Sequence, residues 1–126
     1  MNLQIGKVIN SLLSGNVDLV AIVGDKIYPL IAETETTYPF IIYKRTEVKP
    51  EYTKDYHTQD RLTVEIMAAS STYAESVEIA DLIRDSIDNK VGIHNEIDIK
   101  SMRLVGTYED IIEDAYVQDL TFEILI

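Results

Sequence analysis

Val20-Ala21-Ile22-Val23-Gly24-Asp25-Lys26-Ile27-Tyr28-Pro29, then a short polar gap, then Tyr38-Pro39-Phe40-Ile41-Ile42-Tyr43: this stretch carries the punctuation from which the rest of the chain can be ordered. Gly24 has no Cβ and can take the positive φ that ends a helical turn. Each proline fixes its own φ and biases the tyrosine before it toward extended geometry. The stretch therefore predicts a helical turn that stops at Gly24, a brief strand over Ile27-Tyr28-Pro29, and a longer strand that begins at Phe40.

Upstream, Ile5, Val8, Ile9, Leu12 and Leu13 recur at the spacing of one helical face, with Gly15-Asn16 as the stop, which predicts a first helix over residues 2–14. Asn16 or Asp18 can start a second, very short helical turn that carries Leu19, Val20 and Val23 inward. Downstream, the aromatic and β-branched run from Phe40 to Val48 and the run from Gln59 to Ala68 predict a strand pair. In the second run Leu62, Val64 and Ile66 face one way, and Arg61, Thr63 and Glu65 the other. Their connection, residues 49–58, contains Pro50, Tyr52, Lys54, Tyr56 and His57 and reads as a projecting loop or extended arm.

Thr72 with Glu75 three residues on fits a capping box for a helix that runs from Tyr73 to Asp88 and ends near Asn89 to Gly92. Ile97, Ile99, Met102 and Leu104 predict a fourth strand whose change of parity after Ile99 marks a bulge. In the last strand Tyr116, Leu120, Phe122, Ile124 and Ile126 face one side, with Asp119, Thr121 and Glu123 on the other. Between these two strands, Glu109-Asp110 and Glu113-Asp114 read as a solvated acidic loop.

At 126 residues the chain is expected to form one domain, 1–126, and a chain of this size can bury roughly two-thirds of its unfolded surface. Its 46% apolar and 26% charged residues are ordinary globular usage, and with no cysteine there is no disulfide framework or thiolate metal site. The longest apolar run, Leu19 to Val23, is far short of the about 20 residues a membrane helix needs, and Gln4, Gly6 and Lys7 interrupt any apolar leader. A soluble intracellular protein with no membrane partner is expected. The net charge of −11 argues against binding the nucleic-acid backbone, which depends on lysine and arginine.

No motif for catalysis stands out. His57 and His94 lack a partner motif, no serine sits in a nucleophile elbow, and no glycine-rich phosphate cradle or H-E-x-x-H occurs. The acids at 109, 110, 113 and 114 could supply oxygen donors, but they lack the alternating spacing and central glycine of a calcium loop. No enzyme, no cofactor and no metal is the expectation. Eight tyrosines against two phenylalanines are more informative. Tyrosine joins a large apolar body to a polar tip, which suits surfaces that become buried on assembly. The candidate assembly-interface loops therefore comprise Tyr52, Lys54, Tyr56 and His57 in one segment, and Tyr108, Glu109 and Asp110 in another.

Taken in order, the N-terminal helix, the two quoted segments, the strand from Arg61 to Ala68, the helix from Tyr73 to Asp88, Ile99-Lys100-Ser101-Met102-Arg103-Leu104 and the Tyr108-Glu109-Asp110 stretch resemble the tail-completion (tail-terminator, head-tail joining) proteins of long-tailed phages and prophages. One departure is Ile111-Ile112-Glu113-Asp114-Ala115, where similar proteins carry a short glycine-containing turn. The resemblance implies an α+β fold, a mainly antiparallel four- to five-stranded sheet with two main helices packed on one face. It implies a structural protein of the virion neck, assembled in the bacterial cytoplasm, whose copies form a ring, typically of six. That ring would cap the head-proximal end of the tail tube, stop its polymerisation, and join a head-completion or connector protein. Carboxylates around its opening would let DNA pass without sticking. The rival expectations are a neighbouring head-completion adaptor and an acidic DNA-mimic inhibitor.

Overall fold

The computed structural model describes residues 2–54 and 56–126, with every side chain among them except that of His57. A 3-10 turn over Asn2–Gln4 leads into helix α1 (Ile5–Ser14), then α2 (Val17–Val23), strand β1 (Ile27–Pro29), β2 (Phe40–Tyr52), β3 (His57–Ser70) and helix α3 (Tyr73–Ile87). β4 (Gly92–His94), β5 (Ile97–Ile99), β6 (Ser101–Ile112) and β7 (Ala115–Leu125) complete it. The main sheet runs β1-β2-β3-β7-β6, and β4-β5 form a separate ribbon. β1 lies parallel to β2; the other neighbours in the main sheet are antiparallel.

The helix ends follow the polar punctuation. Asn16 Oδ1 accepts the Asp18 and Leu19 N–H groups at 3.1 and 3.2 Å, satisfying donors that the first turn of α2 cannot pair internally. Its Nδ2 donates to Ser86 Oγ at 2.8 Å and to the Leu82 carbonyl at 3.3 Å, which fastens the α1–α2 corner to α3. Gly24 closes α2 at φ +65°, as the sequence predicts. At α3, Thr72 Oγ1 accepts the Glu75 N–H at 3.3 Å, but the return contact runs through Ser70. Its Oγ donates to Glu75 at 2.6 Å and accepts the Thr72 N–H at 3.3 Å.

Alternation along β3 and β7 sorts the sheet into two faces. Leu62, Val64, Ile66 and Ala68, with their neighbours Leu120, Phe122 and Ile124, join Ile41, Tyr43 and Met102 in one buried cluster with Ile5, Val8, Ile9 and Leu13 of α1 and Ile79, Ile83 and Ile87 of α3. Burying each large apolar side chain is worth roughly 1.5–3 kcal/mol, so this helix-covered face holds the domain together. A smaller cluster, Ala69, Ala115 and Val117 with Tyr38, Phe40 and Met67, lies on the opposite, open face.

Two expectations change. The parity change after Ile99 is no bulge: Lys100 separates β5, which pairs with β4, from β6, which pairs with β7, and the register shift falls later, between Leu104 and Gly106. Of the two readings of residues 49–58, projecting loop or extended arm, the structure takes the arm, built by β2 and β3, and the acidic segment expected as a loop is mostly strand. β6 runs on to Ile112 and turns through Glu113 and Asp114 alone, with Glu113 at φ 56°. Two-residue hairpin turns need such positive φ values, and the turn tolerates one without glycine.

Candidate assembly interface

β2 and β3 outrun the sheet. β1 covers β2 only from Ile41 to Tyr43, and β7 pairs with β3 only from Arg61 to Ser70. Beyond these points the two strands pair with each other, from Pro50↔Asp60 to Tyr52↔His57, as a hairpin arm with one register shift near its tip and another inside the sheet, between Arg45 and Glu47. Bulges of this kind bend and twist a ribbon. Pro50 is tolerated in β2 because an edge strand does not need its missing N–H. The tip closes where the Thr53 N–H donates to the Tyr56 carbonyl at 2.8 Å. Tyr52 and Tyr56 are each 67% exposed, and Lys54 is exposed between them. His57 starts β3, but its side chain lies outside the described residues.

Arg61 holds the arm's root. Its Nε pairs with Glu51 Oε1 at 3.0 Å and its Nη1 with Glu123 Oε1 at 2.8 Å, while Arg103 reaches the same Glu123 oxygen at 3.1 Å. The Gln59 amide, donating to Glu51 at 2.6 Å, together with Arg61 holds the Glu51 carboxyl below its ordinary range.

The 108–110 group belongs to the other end of the strand order, on edge strand β6, and does not meet the arm tip in one site. A strand also divides it. Tyr108 opposes Asp119 on the open face. Glu109 turns to the helix side and accepts from Tyr73 Oη and Gln118 Nε2, both at 3.0 Å, beside a recess of about 350 Å³ lined by Tyr73, Ile111 and Tyr116. Asp110 accepts the Ile111 N–H at 2.7 Å. The acids expected in one loop are thus dispersed, with Asp114 accepting from Tyr38 Oη at 3.2 Å.

Sequence reasoning missed the center of the open face. Asp119, expected only to face away from the apolar side of the last strand, is 1% exposed. Neither of its carboxylate oxygens has a hydrogen-bond partner of ordinary geometry among the described residues, although Glu65 and Tyr108 stand beside it. Burial, and then Glu65, push the Asp119 carboxyl up to about 7, against the weaker pull of Tyr108 and Lys44. These groups share a recess of about 110 Å³ with Leu30, Ile42 and Met67. The available signal was the apolar pair Ala115 and Val117, which share Asp119's parity and place that end of the face out of water.

Along the open face, the composition changes in order: ion pairs at the arm root, the Asp119 recess in the middle, and apolar side chains at the far end, where Tyr38 stacks on Phe40 with centroids 5.6 Å apart. An α+β domain with its unusual groups on a projecting ribbon and a half-covered sheet has the surfaces of a component that docks against other chains. Residues 7–126 match the family model described as tail completion protein gp17, and the chain belongs to that family of structural phage tail proteins. Its fold is similar to that of a chain in the virion of a native gene transfer agent (GTA) particle, at a TM-score of 0.83 and 14% identity over 94% of this chain and 91% of that one. No curated protein sequence matches the chain.

Proposed function

We propose that the chain caps the head-proximal end of the tail tube, terminates tail polymerisation and forms part of the head–tail joint, acting by contact and without catalysis. Membership of the tail completion family supports the tail role. The observation that carries the joint-forming reading is the pairing, within one small domain, of a projecting arm with an open sheet face that is partly apolar. Two different surfaces on one subunit suit a head-to-tail contact between copies, and such a contact closes into a ring when its rotation allows.

The assembled form is a ring, six copies by the family resemblance, at the virion neck. Its partners are copies of itself, the tail tube protein and a head-completion or connector protein, and it is put together in the cytoplasm of the bacterial host. The head-completion adaptor is the second reading, because related joints use the same fold.

Deleting the gene from the phage or prophage that carries it and imaging the particles separates the two. Overlong or unattached tails are expected. Normal tails beside unfilled or leaking heads would move the protein to the adaptor position. A DNA mimic would instead bind a basic nuclease or polymerase and lose it on addition of salt.

A further inference from the structure

We propose that the recess around Asp119 and Glu65 on the open sheet face receives the Lys54 side chain from the hairpin arm of a neighbouring copy of this chain. The inference rests on the ring reading above and adds the contact that would join its subunits.

The recess is built and unsatisfied. Asp119 is buried, and neither of its oxygens has a partner of ordinary hydrogen-bond geometry among the described residues, although Glu65 and Tyr108 stand beside it. The groups that face it are Lys44 from β2, Glu65 from β3 and Tyr108 from β6. Two carboxyls share one lysine there, so the isolated subunit relieves the crowding by keeping a proton near Asp119. One more cation would favour the ionised Asp119 carboxylate. Leu30, Ile42 and Met67 line the same recess and suit the aliphatic stem of a lysine, which buries its methylenes while its ammonium seeks the charge.

The donor follows from geometry. Lys54 sits at the arm tip, ten residues along the chain from Lys44 at the recess (54 − 44), which in extended backbone is roughly 30 Å. The arm is a paired ribbon leading away from the sheet, so it cannot return Lys54 to its own recess. A second copy can present it. The tyrosine beside Lys54, Tyr56, then meets the rim of that face, where Leu30 and Tyr108 are 72% and 59% exposed.

The chain has no cysteine, so an introduced pair reports this contact alone. Leu30→Cys and Tyr56→Cys are placed together in the gene, leaving Lys54 and Asp119 intact, and particles produced by the phage genome are oxidised and run without reductant. A ladder of covalently linked copies is expected. Adding Lys54→Glu should reduce it about tenfold or more, and Lys54→Arg should leave it within about twofold, because a guanidinium also serves a carboxylate pair. Purified Lys54→Glu subunit should keep its circular dichroism, since Lys54 is exposed.

If the protein is present in particles but no ladder forms, or the ladder ignores Lys54→Glu, the contact is wrong and the neck role stands. If the protein is absent from particles, the neck role fails and this contact fails with it.

Discussion

The same strands make both faces of the sheet, yet the faces obey different rules. On the helix-covered side, Leu62, Val64, Ile66, Phe122 and Ile124 meet α1 and α3 in one apolar cluster, and every one of them is at most 1% exposed. On the open side, alternate positions of β3 and β7 carry Arg61, Glu65, Asp119 and Glu123 beside Met67, Ala69 and Val117. A fold needs only one packed face to be stable, which leaves the other free to carry groups that would be unfavourable in a core. The cost of those groups is visible at Asp119, and it is the difference between the faces that a set of substitutions can measure.

Phe122→Ala should have the largest effect. The ring is fully buried on central strand β7, and truncating such a residue costs about 3–5 kcal/mol. Against a typical domain stability of about 5–15 kcal/mol, that is a large share. Urea unfolding should show a much lower midpoint; a loss below about 1 kcal/mol would mean the helix-covered face does not hold the fold.

On the open face the sign should reverse. Asp119 has its ordinary carboxyl value, 3.8, in the unfolded chain and about 7 when folded. The folded state therefore favors the protonated acid. The resulting penalty is absent below the unfolded value, grows as pH rises from about 4, and is complete above about 7. At about 1.4 kcal/mol per pH unit it reaches roughly 2–4 kcal/mol. Asp119→Asn should then be more stable than the parent chain at pH 8 and close to it at pH 4. A difference between the two that stays flat across pH would show that Asp119 keeps its charge without cost.

Asn16→Ala tests a junction that serves only the covered side. It removes the cap of α2 and both bonds to α3, leaving Ser86 Oγ without that donor, and should cost about 1–2 kcal/mol in the same unfolding measurement. Asn16→Ser can restore the cap without the reach to α3. A serine variant as stable as the parent would show that the tie between the α1–α2 corner and α3 contributes nothing.

How far the sequence could be read differs between the faces for the same reason. Helix α1, the stop at Gly24, the Asn16 and Thr72 caps and the alternation of β3 and β7 are local signals, set by spacing within a few residues, and all of them appear in the structure. Tyr108 to Asp110 look like a loop in one dimension because Glu109 and Asp110 belong to residue types depleted in strands, which outweighs the strand preference of Tyr108. They become strand through cross-strand partners, Asp119, Gln118 and Val117, that lie elsewhere in the sequence. The burial of Asp119 was not legible for a related reason. Its parity is visible in the sequence, but its burial depends on Lys44, Glu65 and Tyr108 arriving from three other strands. The arm was legible as a projection, whereas its pairing, and therefore its direction, required the register.

The smallest expected effect lies at the arm root. Arg61→Met keeps the aliphatic stem but removes the links to Glu51 on β2 and Glu123 on β7. Both contacts are about one-third exposed on the arginine side, and such pairs are worth about 1 kcal/mol or less. Global stability should therefore change little. The local effect should be larger, because beyond Arg61 β7 no longer pairs with the arm, although Asp60 still meets Ile126 through the backbone and the Asn2 amide through its side chain. Amide hydrogen exchange over residues 50–60 should quicken several-fold while β7 and α3 keep their protection. Exchange that quickens equally in β7 would place the arm within the cooperative core, and the open face could no longer be treated as separable from the covered one. Unchanged exchange throughout would mean that the ribbon's direction is fixed by its bulges alone, and the ion pairs would then be free to serve a neighbouring chain.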